Sequence, residues 1–191
     1  YYRINNFKIL FKPPRENPPI YIAAINDKMI DLSCQLANGV LLYLRPKNEL
    51  PKAVKNIKKK LKFSGNKNFE ICCAFITAVS DKYPDYARLR AAKTLAFYVA
   101  IGKYYNKFLR ENGFKIEVEN ITEEYIKNGL VNVHKFVSDK MLNSLTISGT
   151  RDECKKSLRE FNQSGISLPI IQINPVGNIT ENSIRELIST F

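Results

Sequence analysis

Histidine is almost missing from this chain: His134 is the only one in 191 residues. No serine, cysteine or carboxylate constellation surrounds it in the sequence, so His134 reads as a helix-surface residue. Zinc catalysis and a Ser-His-Asp triad confined to this chain are excluded. Cysteine is scarce as well. Cys34, Cys72, Cys73 and Cys154 show no paired metal-ligand spacing, and the adjacent Cys72 and Cys73 fall in a strand-like run, where neighbours point to opposite faces. Free buried thiols in a reducing cytoplasm are the reading that follows. No apolar run reaches the ~18 residues that a bilayer span needs. The longest, residues 71–79 and 166–173, have strand length. Neither a charged-then-apolar leader nor a lipidation motif is recognisable, and the chain begins Tyr1-Tyr2, as a processed, trimmed or partial chain does.

What is present is ordinary for a globular protein: 45% hydrophobic and 25% charged residues, in a length that suits one domain over residues 1–191. The net charge of +12 raises the question of nucleic acid. The densest stretch holds Lys52, Lys55, Lys58, Lys59, Lys60 and Lys62, and its apolar partners Ala53, Val54, Ile57 and Leu61 recur at helical spacing. That pattern is one amphipathic helix with a solvated lysine face. No aromatic residues interleave with the lysines as they would on a stacking platform, so nucleic acid is not the expected partner.

Residues 1–11 alternate loosely before Lys12-Pro13-Pro14 and suggest a short hairpin or extended lead-in. Residues 20–24 read as a strand buried on both faces. Asn26-Asp27 opens a helix with Met29, Ile30, Leu32, Ser33 and Leu36 on its inner side, and Asn38-Gly39 ends it. A second buried strand covers 40–44, the lysine helix runs to about Leu61, 64–68 is a polar turn, and 69–79 is a third strand. Pro84 suits the first turn of one long helix that keeps Leu89, Leu95, Ala96, Val99, Phe108 and Leu109 in phase until Asn112-Gly113. Another helical stretch covers 122–142, interrupted around Asn128-Gly129. Thr150-Arg151-Asp152-Glu153 is a capping box; its helix runs to about Gln163, before a last strand over 166–173 and a closing helix over 181–191. Strands alternating with helices imply parallel β/α units with right-handed crossovers. Residues 84–142 exceed one crossover and read as a helical insertion. Four buried strands are too few to close a barrel of eight, so the chain is half of something or an open sheet.

The stretch Pro19-Ile20-Tyr21-Ile22-Ala23-Ala24-Ile25-Asn26-Asp27-Lys28-Met29, continued by Leu36-Ala37-Asn38-Gly39-Val40, resembles the luciferase-like monooxygenase superfamily. Within it the likeness is to the coenzyme F420-dependent methylenetetrahydromethanopterin reductase branch, whose members read approximately P-I-Y-I-A-A-x-G-P-K-M, then A-G-x-x-A-D-G-V. Ala78-Val79-Ser80-Asp81, Tyr104-Tyr105, Asn112-Gly113-Phe114, Ser148-Gly149-Thr150-Arg151-Asp152-Glu153-Cys154 and Gly165-Ile166-Ser167-Leu168-Pro169-Ile170 are similar in order and character.

The resemblance implies an α/β fold: a TIM-type (β/α) barrel of which this chain supplies the C-terminal half, strands five to eight, with the insertion before the last strand. The first four strands, which carry much of the substrate pocket, are outside it. It also implies an oxidoreductase that uses coenzyme F420 or FMN to move a hydride to or from a small organic substrate. In the family the loop after the fifth strand, here Ala24, Ile25 and Asn26, cradles the cofactor phosphate through backbone N–H groups at a helix N-terminus. Asn26 and Asp27 stand where the family has glycine and proline, Cys34 replaces a glycine and Asn38 an aspartate. Asn26 either donates to that phosphate or caps the helix, and Asp27 sets a carboxylate at the same place. Tyr43, Leu44 and Arg45 end the next strand, on the face where barrel sites lie. Arg45 either pairs with a phosphate or acidic cofactor tail or is a solvated loop cation. Thr77, Ala78 and Val79, with Gln172, Ile173 and Asn174, end the other two strands without an acid–base pair among them. No metal and no catalytic residue are indicated. The alternative is a non-catalytic half-barrel whose unpaired edges make it a dimer or bind it to a partner chain.

Overall fold

A computed structural model of the chain describes every residue except 1, 2, 9, 13, 65–67, 178 and 179. Among the described residues five strands, β1 (Tyr21–Ala23), β2 (Gly39–Tyr43), β3 (Glu70–Val79), β4 (Thr146–Gly149) and β5 (Leu168–Ile173), form one sheet. The helices are α1 (Asp27–Leu36), α2 (Leu50–Ser64), α3 (Pro84–Ile101), α4 (Lys103–Glu111), α5 (Lys115–Asn128), α6 (Asp139–Leu145), α7 (Arg151–Asn162) and α8 (Glu181–Ile188), with a 3-10 turn at Val133–Phe136. Every strand pairing is parallel, as the β/α alternation requires.

β3 organises the sheet because it alone is long and apolar enough to be covered on both faces. Its hydrogen bonds alternate between edges. Glu70 N donates to Asn38 O and Ser80 N to Gly149 O, while Ile71 O accepts from Ser167 N and Thr77 O from Asn174 N. The even-numbered residues therefore serve β2 and, farther along, β4, whereas the odd-numbered residues serve β5. Side chains divide the same way between two apolar clusters. Val40, Leu42, Ile71, Cys73 and Phe75 pack outward against α1, α2 and α7, and Ile76 and Ala78 pack against the helices of residues 84–142. Phe75 and Phe161 meet with ring centroids 4.3 Å apart.

Several expectations need correction. β1 is not buried on both faces: Tyr21 is 38% exposed and Ala23 is exposed, because no strand pairs with its outer edge among the described residues. β5, the other edge, likewise exposes Leu168, Ile170 and Ile173. α1 buries Ile30, Ser33 and Cys34, while Leu32 and Leu36 face out. No strand or hairpin occurs among the described residues before Tyr21, and most of the expected turn at 64–68 lies outside the described residues. The long helix from Pro84 is two helices, broken at Gly102. The stretch expected at 122–142 starts earlier, at Lys115, and ends as the 3-10 turn and α6. β4 was not expected at all. Its four residues are too few to show an alternation, and they pair with the last residues of β3, beyond those that pair with β2.

The lysine helix behaves as its periodicity dictates, with Ala53, Val54 and Ile57 buried and Lys55, Lys58 and Lys59 exposed; Lys60 pairs with Asp31 of α1. Gly39 is fixed by contact: a Cβ there would fall 2.4 Å from the Tyr21 ring, which lies across it so that the Tyr21 hydroxyl reaches Glu70. The capping box of α7 forms as read, with both reciprocal bonds between Thr150 and Glu153.

All four cysteines are free and buried. Burial raises every one of the thiols above its ordinary value, Cys154 to about 12. A thiol must ionise to react. The native chain at pH 8 is therefore expected to react with a disulfide reagent such as DTNB only at the rate of its unfolding, releasing four equivalents at once in denaturant. Rapid labelling of one thiol in the native protein would contradict that burial.

Candidate functional site

The inner face of the sheet is built from paired positions. Ala23 lies beside Leu41, Tyr43 beside Ala74, and Ala74 beside Ile170. Because Ala23, Ala24 and Ala74 are small where their neighbours are large, a cavity of about 540 Å³ remains over them. Ile25 and Met29 form its wall on the β1–α1 side, Leu41, Tyr43, Ile170 and Gln172 its floor, and Tyr104 and Tyr105 of α4 the opposite wall. The volume falls within the ~300–1,000 Å³ of small-molecule sites, and the lining is mostly apolar and aromatic with few polar groups, as in such sites.

Tyr43 is central. Its ring meets Tyr98 edge to face at 5.1 Å and Tyr105 at 5.7 Å, and its hydroxyl donates to Gln172 Oε1 at 2.5 Å. Burial first, then the hydrogen bond with Tyr98, drives its pKa well above the usual phenol range. Tyr105 is raised too, chiefly by burial, against an opposing pull from the charge of Arg45. Both phenols therefore stay neutral at physiological pH. They can donate a hydrogen bond and offer ring faces and edges, but they cannot serve as a general base. With Gln172 Oε1 engaged, that side chain keeps its amide N–H groups as donors.

The other expected site residues fall around this cavity in distinct ways. Ala24 and Ile25 line it. Asn26 caps α1, its Oδ1 accepting from Met29 N at 3.0 Å, and the first-turn amides of Asp27 and Lys28 are the remaining donors at that helix start. The Asp27 carboxylate accepts from Asn56 of α2 at 3.1 Å. Leu44 is 2% exposed, lies in the cluster formed with the 84–142 helices, and has φ = 51°, a left-handed conformation that costs a leucine energy. Arg45 is not a solvated cation. It is 5% exposed, donates to Ile25 O at 2.7 Å and to Glu49 at 3.1 Å, and lies 4.4 Å from the Phe108 ring centroid, behind the cavity wall.

Asn38 holds the opposite end of β2, where its side chain and backbone both bond to Ile20. Asn174 is buried and bonded to Thr94 of α3, and Thr77 is buried with its hydroxyl on Phe75 O. His134 lies in the 3-10 turn of the 84–142 segment; burial, then Lys93 and Lys135, lower its pKa, so it is neutral at pH 7. No group of three His, Cys, Asp or Glu side chains able to hold a metal occurs among the described residues. None of the described helices is long and apolar enough to cross a membrane. Sequence reasoning set Met29 on the inner side of α1 and Gln172 at a strand end on the site face without giving either a role, and saw Tyr104-Tyr105 only as a point of likeness. The signal for the tyrosines was Gly102, which breaks the helix just before them.

Known proteins share this architecture. A methylenetetrahydromethanopterin reductase of Archaeoglobus fulgidus is 28% identical over 190 residues, covering 96% of this chain and 56% of its own length. The reductase of Methanolobus tindarius is 28% identical over 170 residues, covering 87% and 51%. The chain thus spans about half the length of these relatives. Among solved structures, the coenzyme F420-dependent tetrahydromethanopterin reductase of Methanopyrus kandleri superposes with a TM-score of 0.73 at 23% identity, over 89% of this chain and 48% of that one. An F420-dependent secondary alcohol dehydrogenase superposes at 0.55 and 17% identity, over 86% and 46%. The parallel sheet and the crossovers are therefore those of these barrels, left open here along β1 and β5. Residues 1–168 match one family throughout, and the chain belongs to it: the luciferase-like monooxygenases.

Proposed function

We propose that this chain forms the later four β/α units of a barrel oxidoreductase that moves a hydride between coenzyme F420, or FMN, and a small organic substrate. The observation that carries this reading is the cavity itself. It lies at the C-terminal ends of β1 and β2, it is walled on one side by tyrosines, and beside it the amides of Asp27 and Lys28 open a helix. A flat, largely apolar ring system suits a space framed by Ala23, Ala74, Leu41 and the Tyr105 ring. Its phosphate-bearing side chain suits the loop of Ala24, Ile25 and Asn26, where free amides and the helix dipole favour an anion. The names of the relatives point the same way.

The coenzyme, when bound, supplies the hydride chemistry. This chain's residues would do the rest. Tyr43 and Gln172 present a neutral hydrogen-bonding pair at the floor, Ile25 and Met29 exclude water on one side, and Tyr104 and Tyr105 do so on the other. The phenols of Tyr43 and Tyr105, raised by burial, stay neutral, so neither would serve as the base of an acid–base step. Titrating the 191-residue chain with oxidised F420 and with FMN, followed by fluorescence, is expected to show weak but saturable binding of one of them, lost in Tyr43→Ala. Unchanged binding in that variant, or none in the parent, would count against the site.

A second reading rests on the two edge strands. Among the described residues no strand pairs with the outer edges of β1 and β5, which lie beside exposed Tyr21, Leu168 and Ile170. Native proteins cover such edges. A self-associating half-barrel, or one completed by a partner chain, would pair β1 of one unit with β5 of another.

A further inference from the structure

Resting on that reading, we infer that Arg45 is the positioning residue of the site: a buried strut that sets the distance between the β1–α1 loop and α4, the two walls of the cavity. The guanidinium touches three separate elements. One terminal nitrogen donates to Ile25 O, the carbonyl just before the helix cap; the other donates to Glu49 at the entry to α2; and the guanidinium carbon lies 4.4 Å from the Phe108 ring centroid of α4. Ile25 lines the cavity directly, and Phe108 lies one helical turn beyond the lining residues Tyr104 and Tyr105.

The backbone accounts for this placement. Leu44 adopts φ = 51°, so the chain turns sharply as it leaves β2, and Leu44 and Arg45 both end up buried. A leucine holds that conformation only where its surroundings impose it. Arg45 Nε is also buried without a hydrogen-bond partner, a cost tolerated while the rest of the group is engaged. Lysine could not substitute. It is a point charge without the planar fork, so it cannot hold a carbonyl and a carboxylate while stacking on a ring.

The strut is therefore a three-way contact whose parts should fail together. Phe108→Leu keeps apolar volume in α4 and leaves Arg45 without its ring; Arg45→Lys keeps the charge and loses the fork. Neither side chain lines the cavity. Each variant is expected to weaken binding of whichever of F420 or FMN the parent chain takes by about threefold to tenfold, the double variant no more than the worse single. Amide hydrogen exchange, read without any coenzyme, is expected to speed up at residues 25–29 in both single variants while α7 and α8 stay protected. If the parent binds neither coenzyme, the functional reading fails, and the exchange pattern still decides the strut. Unchanged exchange at 25–29, or additive effects in the double variant, would overturn it. A merely structural role would lower the melting temperature and loosen the whole chain, with no preference for that loop.

Discussion

Gly102→Ala is expected to straighten the helix break and empty the cavity of its tyrosine wall. At Gly102 a Cβ would meet Tyr98 O at 2.5 Å and the Tyr105 ring at 3.1 Å. The first contact is with backbone, so no side-chain rotation relieves it. The chain can respond in two ways. It can keep the break under strain, at the roughly 1–3 kcal/mol typical of a damaging core change. Or it can run α3 into α4 as one continuous helix, which alanine favours over glycine by about 1 kcal/mol. Either response moves Tyr105, whose ring packs on Tyr43 and Tyr98 as well as lining the cavity. Coenzyme binding should fall by more than tenfold, and the tyrosine near-ultraviolet circular dichroism should lose intensity, while far-ultraviolet helix content holds or rises. Retained binding with an unchanged tyrosine signal would show that the break does not place this wall.

The same glycine explains what the sequence left illegible. Leu95, Ala96, Val99 and Leu109 are buried as one continuous helical stripe would have them, so periodicity alone shows no interruption. A single glycine in a helical pattern is a weak signal, and its consequence here is tertiary: the break sets Tyr105 against Tyr43 of β2 and both α4 tyrosines on the cavity. By contrast, signals made of several local features transferred well. The capping box at Thr150, the Asn26 cap and the lysine face of α2 each depend on neighbours within one or two turns. β1 and β5 went wrong for a different reason. Their composition is that of strands covered on both sides, and that composition is silent about whether the covering strands are in the same stretch of chain. Arg45 shows the limit for a site. Its position after β2 was legible, but its direction depends on the positive φ of Leu44, which no property of leucine foretells.

The 191-residue chain assayed by itself is expected to transfer no measurable hydride with F420 or FMN, although the cavity proposed for the coenzyme lies within it. A barrel site draws functional groups from loops around the whole rim. Here the rim is an arc: β1, β2, β3 and β5 supply it, with the short β4 paired beside the end of β3, and beyond β1 and β5 the cavity has no facing wall among the described residues. Hydride transfer requires donor and acceptor carbons within roughly 3–3.5 Å, and a loosely held pair can lose on the order of a hundredfold for a 1 Å misplacement. An arc open to solvent cannot hold that distance or keep water out. The same opening predicts how the chain behaves in solution. Two copies related by a twofold axis parallel to the strands could set β1 of each against β5 of the other, in parallel, placing β1, β2, β3 and β5 of both copies around one interior. That arrangement would cover Tyr21, Leu168 and Ile170 and turn the two open cavities toward one space. Light scattering after gel filtration is expected to give twice the mass of the 21.9 kDa chain, and Ile170→Asp, on the exposed β5 face, to return it to the monomer. Robust turnover by a monomer would contradict the open-arc geometry. A monomer without turnover would leave the arc standing and remove the pairing of β1 with β5 between copies.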